Sequence, residues 1–384
     1  MLMRKIVLLF ASVIMFACSP KKTDNVLLLS DDMIETVNFE DAVCDIQIFR
    51  VKSSAPMKGI EQFFEAGDYI LALSTDHGTV YWIKGDTVVS VLERKGRGPG
   101  EYPYINDFVY NPIDSILYLS DINGTVLKYQ GINHTYLGKI EGVPSVSDLF
   151  LSNGDTVITA YSETDENNIL HFGLVLEKIS TAQILEEILP MDYNSEYWSA
   201  TADFYKVGDS IWFTVPGNRM SLNLFYKGTV YPQFCFEFDK KWQIPEEVIP
   251  KDLKPATPDD MSSLEKYMTY NEFIMSSDFC SKATATIYDN GRYLFWNYVK
   301  ANAAILNIVQ KQDVKRYTLK LEGFQNSIQP DLKFKDYYAT TFNCPYGYEV
   351  QEDDDFTKSP IAQKIKHEMD LSEGDPVIML YHIK

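Results

Sequence analysis

The chain has 384 residues, with 35 basic and 54 acidic side chains and a net charge of −19. That balance argues against nucleic acid and against electrostatic docking on anionic lipid, and the length allows one to three domains. Aromatic residues make up 14%, mostly Tyr and Phe, which suits strands better than helices.

The first residues read as an export signal. Arg4 and Lys5 precede an apolar stretch from Ile6 to Phe16, too short for a transmembrane helix, which needs about 20 residues. Ala17-Cys18 then resembles the lipobox of bacterial lipoproteins, in which the cysteine sulfur receives a diacylglycerol and becomes the new N-terminus. Phe16 is bulkier than the usual residue there. The expected layout is a signal peptide over 1–17, a lipidated tether over 18–39, and a folded unit over 40–384. Lys21-Lys22-Thr23-Asp24 lacks the acidic cluster associated with surface export. The expected location is the outer membrane of the cell envelope, with the periplasmic face favoured over the cell surface.

From about Gly59 onward one phrase recurs: a turn residue, usually Asp or Asn, then a run of aromatic and β-branched residues. It appears at Asp68, Asp114, Asp155, Asp209, Asn290 and Asp336, at spacings of 46, 41, 54, 81 and 46. A strand-like run precedes each phrase, as in Asp107 to Tyr110 and Asp203 to Val207. Two more follow, as in Thr125 to Tyr129 and Thr135 to Ile140. Asx and Gly tolerate the conformations of tight hairpins and so mark the joints. Four antiparallel strands repeated at this interval predict an all-β fold, a six-bladed β-propeller. A pair of β-sandwiches is the rival, and even repetition of one hairpin phrase counts against it.

The sixth repeat has two strands between Asp331 and Phe342 and a third only at Pro376 to Ile383. Its fourth strand is missing, and a spare one stands near the other end at Cys44 to Val51. The N-terminal strand is predicted to complete the last blade. Two segments do not fit blades. An insertion over about 240–277 carries four prolines and a short capped helix near Asp260 to Met268, and it explains the spacing of 81. Its apolar residues suggest either a partial lid over one face or a structural plug that protects a blade edge. Ser359 to Met369, with Pro360 at the first helical position, predicts one amphipathic helix.

The run Gly96-Arg97-Gly98-Pro99-Gly100-Glu101-Tyr102 resembles a phrase found after the first blade in a large family of Bacteroidetes lipoproteins, six-bladed β-propeller proteins of unknown function. The N-terminal strand, the first-blade phrase and the C-terminal strand follow the family's order, so the resemblance spans about residues 40–384. It implies fold and compartment, and no reaction. Chemically, the glycine run is not a phosphate loop. No Lys follows Gly100, and Pro99 and Pro103 forbid the helix that a dinucleotide site needs. Its expected role is a tight connection between blades.

No catalytic residue or cofactor is called for. The histidines are His77, His134, His171, His367 and His382, none within four residues of another, so no histidine metal motif exists. Besides Cys18 there are Cys44, Cys235, Cys280 and Cys344, which could be isolated thiols or form two disulfides in three connectivities. Glu352 to Asp355 reads as a solvated loop. Two functions remain open. One is a non-enzymatic binding or scaffold lipoprotein, a monomer on its lipid anchor whose ligand is an envelope protein, a peptide or a glycan. The other is a metal-dependent hydrolase or lyase in the central channel, with ligands drawn from acids such as Asp107, Asp148, Asp203 and Asp331.

Overall fold

The computed structural model describes residues 26–29, 34–121, 125–141, 146–153, 156–164, 170–194, 204–207, 210–215, 219–238, 240, 265, 269, 272–273, 280–282, 293–300, 303–310, 315–344, 348, 350–371 and 375–384. These form six sheets arranged as consecutive blades.

Three strands precede the first blade: β1 (Val26–Leu29), β2 (Ile34–Asn38) and β3 (Val43–Arg50), with the one-turn helix α1 (Phe39–Ala42) between the last two. Blade one is β4 (Ile60–Ala66), β5 (Tyr69–Ser74), β6 (Thr79–Lys84) and β7 (Thr87–Glu93). Blade two is β8 (Ile105–Asn111), β9 (Ile116–Asp121), β10 (Val126–Gln130) and β11 (Thr135–Ile140). Blade three is β12 (Val146–Asn153), β13 (Thr156–Thr164), β14 (Leu170–Lys178) and β15 (Gln183–Asn194). Blade four is β16 (Phe204–Val207), β17 (Ser210–Val215), β18 (Arg219–Tyr226) and β19 (Thr229–Phe238). Blade five is β20 (Cys280–Lys282), β21 (Tyr293–Lys300), β22 (Ala303–Gln310) and β23 (Lys315–Lys320). Blade six is β24 (Leu332–Phe334), β25 (Tyr337–Phe342) and β26 (Val377–Ile383), completed by β3.

Every recurring phrase leads into a second strand, namely β5, β9, β13, β17, β21 and β25. Gly67, Ser115 and Lys335, all with positive φ, make the turns into β5, β9 and β25. The ring closes as the sequence predicts. β26 pairs antiparallel with β3, Val377 opposite Arg50 and Met379 opposite Ile48. The helix over 359–369 is also present, as α2 (Pro360–Asp370). The Ser359 hydroxyl accepts from the backbone N–H groups of Ile361 and Ala362, and Ala362 and Ile365 are buried.

The core lies in the seams between blades. Trp82 and Leu73 of blade one pack with Phe108, Leu119 and Tyr129 of blade two. Ile70 and Tyr81 meet Ala339 and Ile378 of blade six on the other side. Between blades three and four, Ile158 and Leu174 meet Phe213 and Phe225. Each large side chain buried in this way contributes about 1.5–3 kcal/mol. Under α2, Phe324, Phe342 and Tyr348 join Tyr381 and Phe39 in the largest such cluster.

The segment read as a tether is corrected in part. β1 adds parallel to the outer edge of blade four, Val26 opposite Cys235, and β2 adds parallel to blade five, Ile34 opposite Arg316. After β3, Lys52 bridges to Thr87 on the outer strand of blade one. Residues 26–29 and 34–52 thus line four successive blades as a belt. The reason is edge chemistry: an open outer strand offers unpaired N–H and C=O groups, and Val26-Leu27-Leu28-Leu29 and Ile34-Glu35-Thr36-Val37 are apolar enough to pair with it. Cys18 lies outside the described residues. So does most of the insertion over 240–277, of which Glu265, Thr269, Glu272 and Phe273 are helical.

Candidate functional site

Because strands alternate in direction, the turns between first and second and between third and fourth strands lie at one end of the ring. The turns between second and third strands, and the blade-to-blade connections, lie at the other. The chemically distinctive residues gather at this second end, where blades one and two meet.

Their arrangement starts from a β-bulge. In the pairing of β4 with β5, Ile60 stands opposite Ser74 and Gln62 opposite Leu73, so Glu61 is the extra residue. Bulges re-aim a side chain, and the Glu61 carboxylate lies in close contact with the Nε2 of His77, both groups largely buried. His77 sits in the β5–β6 turn at φ 48, a left-handed conformation that a non-glycine residue adopts at a cost. Its Nδ1 lies 2.8 Å from the carbonyl of Ile105, at the start of blade two, and its ring stacks on Tyr104 at 4.3 Å. The amide of Ile105 donates back to the His77 carbonyl at 2.8 Å. Both imidazole nitrogens therefore face acceptors, and the ring clips the two blades together. Comparable bulges in the innermost strands leave Asn106 and Ser147 as the extra residues of blades two and three.

The glycine motif lies beside this clip. The Gly96 amide donates to the Tyr102 carbonyl at 2.9 Å, and the Tyr102 amide donates to that of Arg94 at 3.1 Å. Inside the loop, the Gly98 amide donates to the Glu101 carboxylate at 2.7 Å. The anion that this loop cradles is the chain's own Glu101. A Cβ on Gly96 would collide with that carboxylate, and Gly100, at φ +72, would bring one to 2.8 Å from the Tyr136 ring. Tyr102 is fully buried; its hydroxyl reaches the carbonyls of Gly78 and Leu92, and burial pushes its pKa up to about 12. Arg97 is exposed and enters no hydrogen bond or ion pair among the described residues. Arg97, Pro99, Asp121, Leu127, Tyr136 and Lys139 line an open cleft next to the loop.

The acids singled out from the sequence do not converge. Asp107 accepts from the neighbouring amide of Phe108 at 2.7 Å. Asp148 lies on β12 opposite Ala160, and Asp203 is outside the described residues. Asp331 is in blade six with its carboxyl group buried. One oxygen accepts from the Thr341 amide and hydroxyl at 2.5 and 2.7 Å, and the other has no partner. Burial raises its pKa to about 8. The acidic run is stitched into the fold: Asp354 accepts from the amides of Gln325 and Gln351, and Asp355 from Thr357. Cys44 and Cys344 are free thiols. No group of three His, Cys, Asp or Glu residues among those described could hold a metal.

The sequence offered no sign of the Glu61–His77 clip. The two residues form no motif, and only the bulge and the approach of the second blade join them.

No curated protein matches the chain. Among solved structures, one described as an exported protein from Bacteroides fragilis is 17% identical, covering 94% of this chain and 99% of its own, with a TM-score of 0.64. The beta-propeller domain of Cps50 (Swd1) from Myceliophteria thermophila is 10% identical, over 88% of this chain and 100% of that one, with a TM-score of 0.45. The U3-55K structure is likewise 10% identical, covering 88% and 98%, with a TM-score of 0.46. A model of the 6-bladed beta-propeller family of domains of unknown function (DUF5128) matches residues 51–343. That match covers most of the chain and agrees with the six sheets, and the chain belongs to the 6-bladed beta-propeller family.

Proposed function

We propose that the chain is an exported, lipid-anchored propeller of the cell envelope, which binds a peptide or glycan without turning it over, in the cleft beside the glycine loop. The apolar leader, the Ala17-Cys18 junction and the likeness to an exported protein support the location. One observation carries the binding reading. The groups that could act as base at this end are committed to the fold: both nitrogens of His77 to Glu61 and Ile105, Glu101 to the Gly98 amide, and Asp121 to the Thr125 amide. What remains available is a cation, Arg97, beside a tyrosine and mixed polar walls, a composition suited to holding hydroxyls or a carboxylate.

The test is a glycan and peptide array probed with the soluble chain from residue 26, followed by titration of each hit. Saturable binding without product release, weakened roughly tenfold or more by Arg97→Ala, is expected for the loss of a charge-assisted hydrogen bond. Release of a product, or binding that Arg97→Ala leaves unchanged, overturns the reading.

A further inference from the structure

The belt divides the rim. Blades four and five have their outer strands covered by β1 and β2, and blade six uses β3 as its outer strand. Blades one, two and three have four strands each, and β7 meets the belt only at its first residues. The three bare strands share one device. In β7 the register shifts between Trp82 and Ile83, leaving Val89 as the extra residue. In β11 the shift at Lys128 and Tyr129 leaves Leu137 extra, and in β15 the shift at Leu176 and Glu177 leaves Leu185 extra. Each is the third residue of its strand. Each is apolar, and each is 45% exposed. Ile184 beside Leu185 is 54% exposed, and Ile113, in the β8–β9 turn, is 81% exposed. All five lie toward the end of the ring that carries the first–second and third–fourth turns, opposite the His77 clip and on three consecutive blades.

A bulge breaks the run of edge hydrogen bonds, so these edges are poorly suited to an added strand. Apolar side chains at bulges suit a surface that needs no register. The belt points to that surface. β1 runs parallel to β19 with Val26 opposite Cys235, six residues, or about 20 Å, from the end of β19 that begins at the third–fourth turn of blade four. Cys18 is eight residues before Val26, which places it within about 29 Å along the chain. We propose that the apolar rim of blades one to three is a membrane-contacting surface that seats against the bilayer holding the lipid of Cys18. The ring then stands with its clip and glycine loop turned away from the membrane. This rests on the lipid-anchor reading. The two acyl chains of a diacylglycerol suffice to hold the protein at the bilayer, so the apolar rim acts on the ring's orientation.

The experiment uses the full chain produced with its lipid, reconstituted in vesicles of phosphatidylethanolamine and phosphatidylglycerol, with the Cys18→Ser protein in solution as control. Hydrogen exchange is followed in peptides spanning 85–91, 111–116, 131–139 and 180–187, and the mass of the N-terminal peptide is recorded. Slower exchange in these four regions on vesicles is expected, with no change at 96–105. The V89S/L137S/L185S variant should remain on the vesicles through its lipid and lose that protection. An acylated N-terminal peptide with unprotected rim peptides overturns the seating alone. A peptide without acyl mass overturns the anchor and the seating with it. Protection that appears without vesicles and grows with protein concentration assigns the rim to a second copy of the chain, which also overturns the proposal.

Discussion

Individual side chains in this ring are used as joints more than as reagents. His77 spends both nitrogens on a clip between blades, and Glu101 occupies its own glycine loop. Asp331 shows the cost of such placement. Its carboxyl group is held in its neutral form by burial, with a pKa raised from the ordinary 3.8 to about 8. The folded chain therefore binds this proton more tightly than the unfolded chain does. Its stabilising contribution is complete below about pH 4, and it falls as pH rises through about 8. Asp331→Asn keeps an acceptor for Thr341 and has no charge to bury. We expect the variant to be more stable than the parent at pH 8 by about 2–5 kcal/mol and nearly equal to it at pH 4. Urea unfolding at the two pH values checks this; a variant equally destabilised at both would mean that the carboxyl group is charged and needed. His134 is a second buried group, its pKa lowered to about 4 by burial against Trp82, and it stays neutral in the seam at ordinary pH.

At the scale of elements, the belt is the feature with the clearest energetics. β1 contributes four pairs on one edge, β2 five, and β3 a full blade strand. Removal should therefore be graded. A chain beginning at residue 30 loses only the edge strand of blade four and should remain folded, less stable by about 1–3 kcal/mol. Thermal unfolding followed by circular dichroism measures the difference. An unchanged midpoint would mean that β1 adds nothing to blade four, and failure to fold would make β1 part of the ring itself. The α2 segment belongs to the same scheme, because Ser359 and Glu40 join its cap to α1 while the Leu371 carbonyl accepts from Arg50 of β3.

For the whole molecule, stability depends on closure. β26 is the third strand of blade six, and Val377, Ile378, Met379, Leu380 and Tyr381 are all buried. Deleting residues 377–384 removes that burial and strands β3 without a partner. Five buried side chains at about 1.5–3 kcal/mol each approach the entire stability of a typical domain, 5–15 kcal/mol. The deletion should abolish cooperative unfolding of all six blades. A truncated chain that still melts in one transition near the parent temperature would show that blades one to five stand without the closing sheet.

What the sequence determined by itself is local and periodic. Turn residues before aromatic and β-branched runs marked all six second strands, and a missing fourth strand at one end with a spare strand at the other implied the closure. Pro360 and the spacing of Ile361, Ile365 and Met369 marked α2. These signals lie within a few residues of the structure they specify. Tertiary structure decided the rest. Val26 to Leu29 carries too short an apolar run to reveal a strand, and only the open edge of blade four makes it one. Glu61 and His77 become partners because a bulge turns one toward the other and blade two supplies the second acceptor. Asp331 looked like its neighbours in sequence, and only packing around Thr341 separates a buried neutral acid from exposed charged ones. Contacts between blades join residues far apart in the chain, and no spacing within one repeat encodes them.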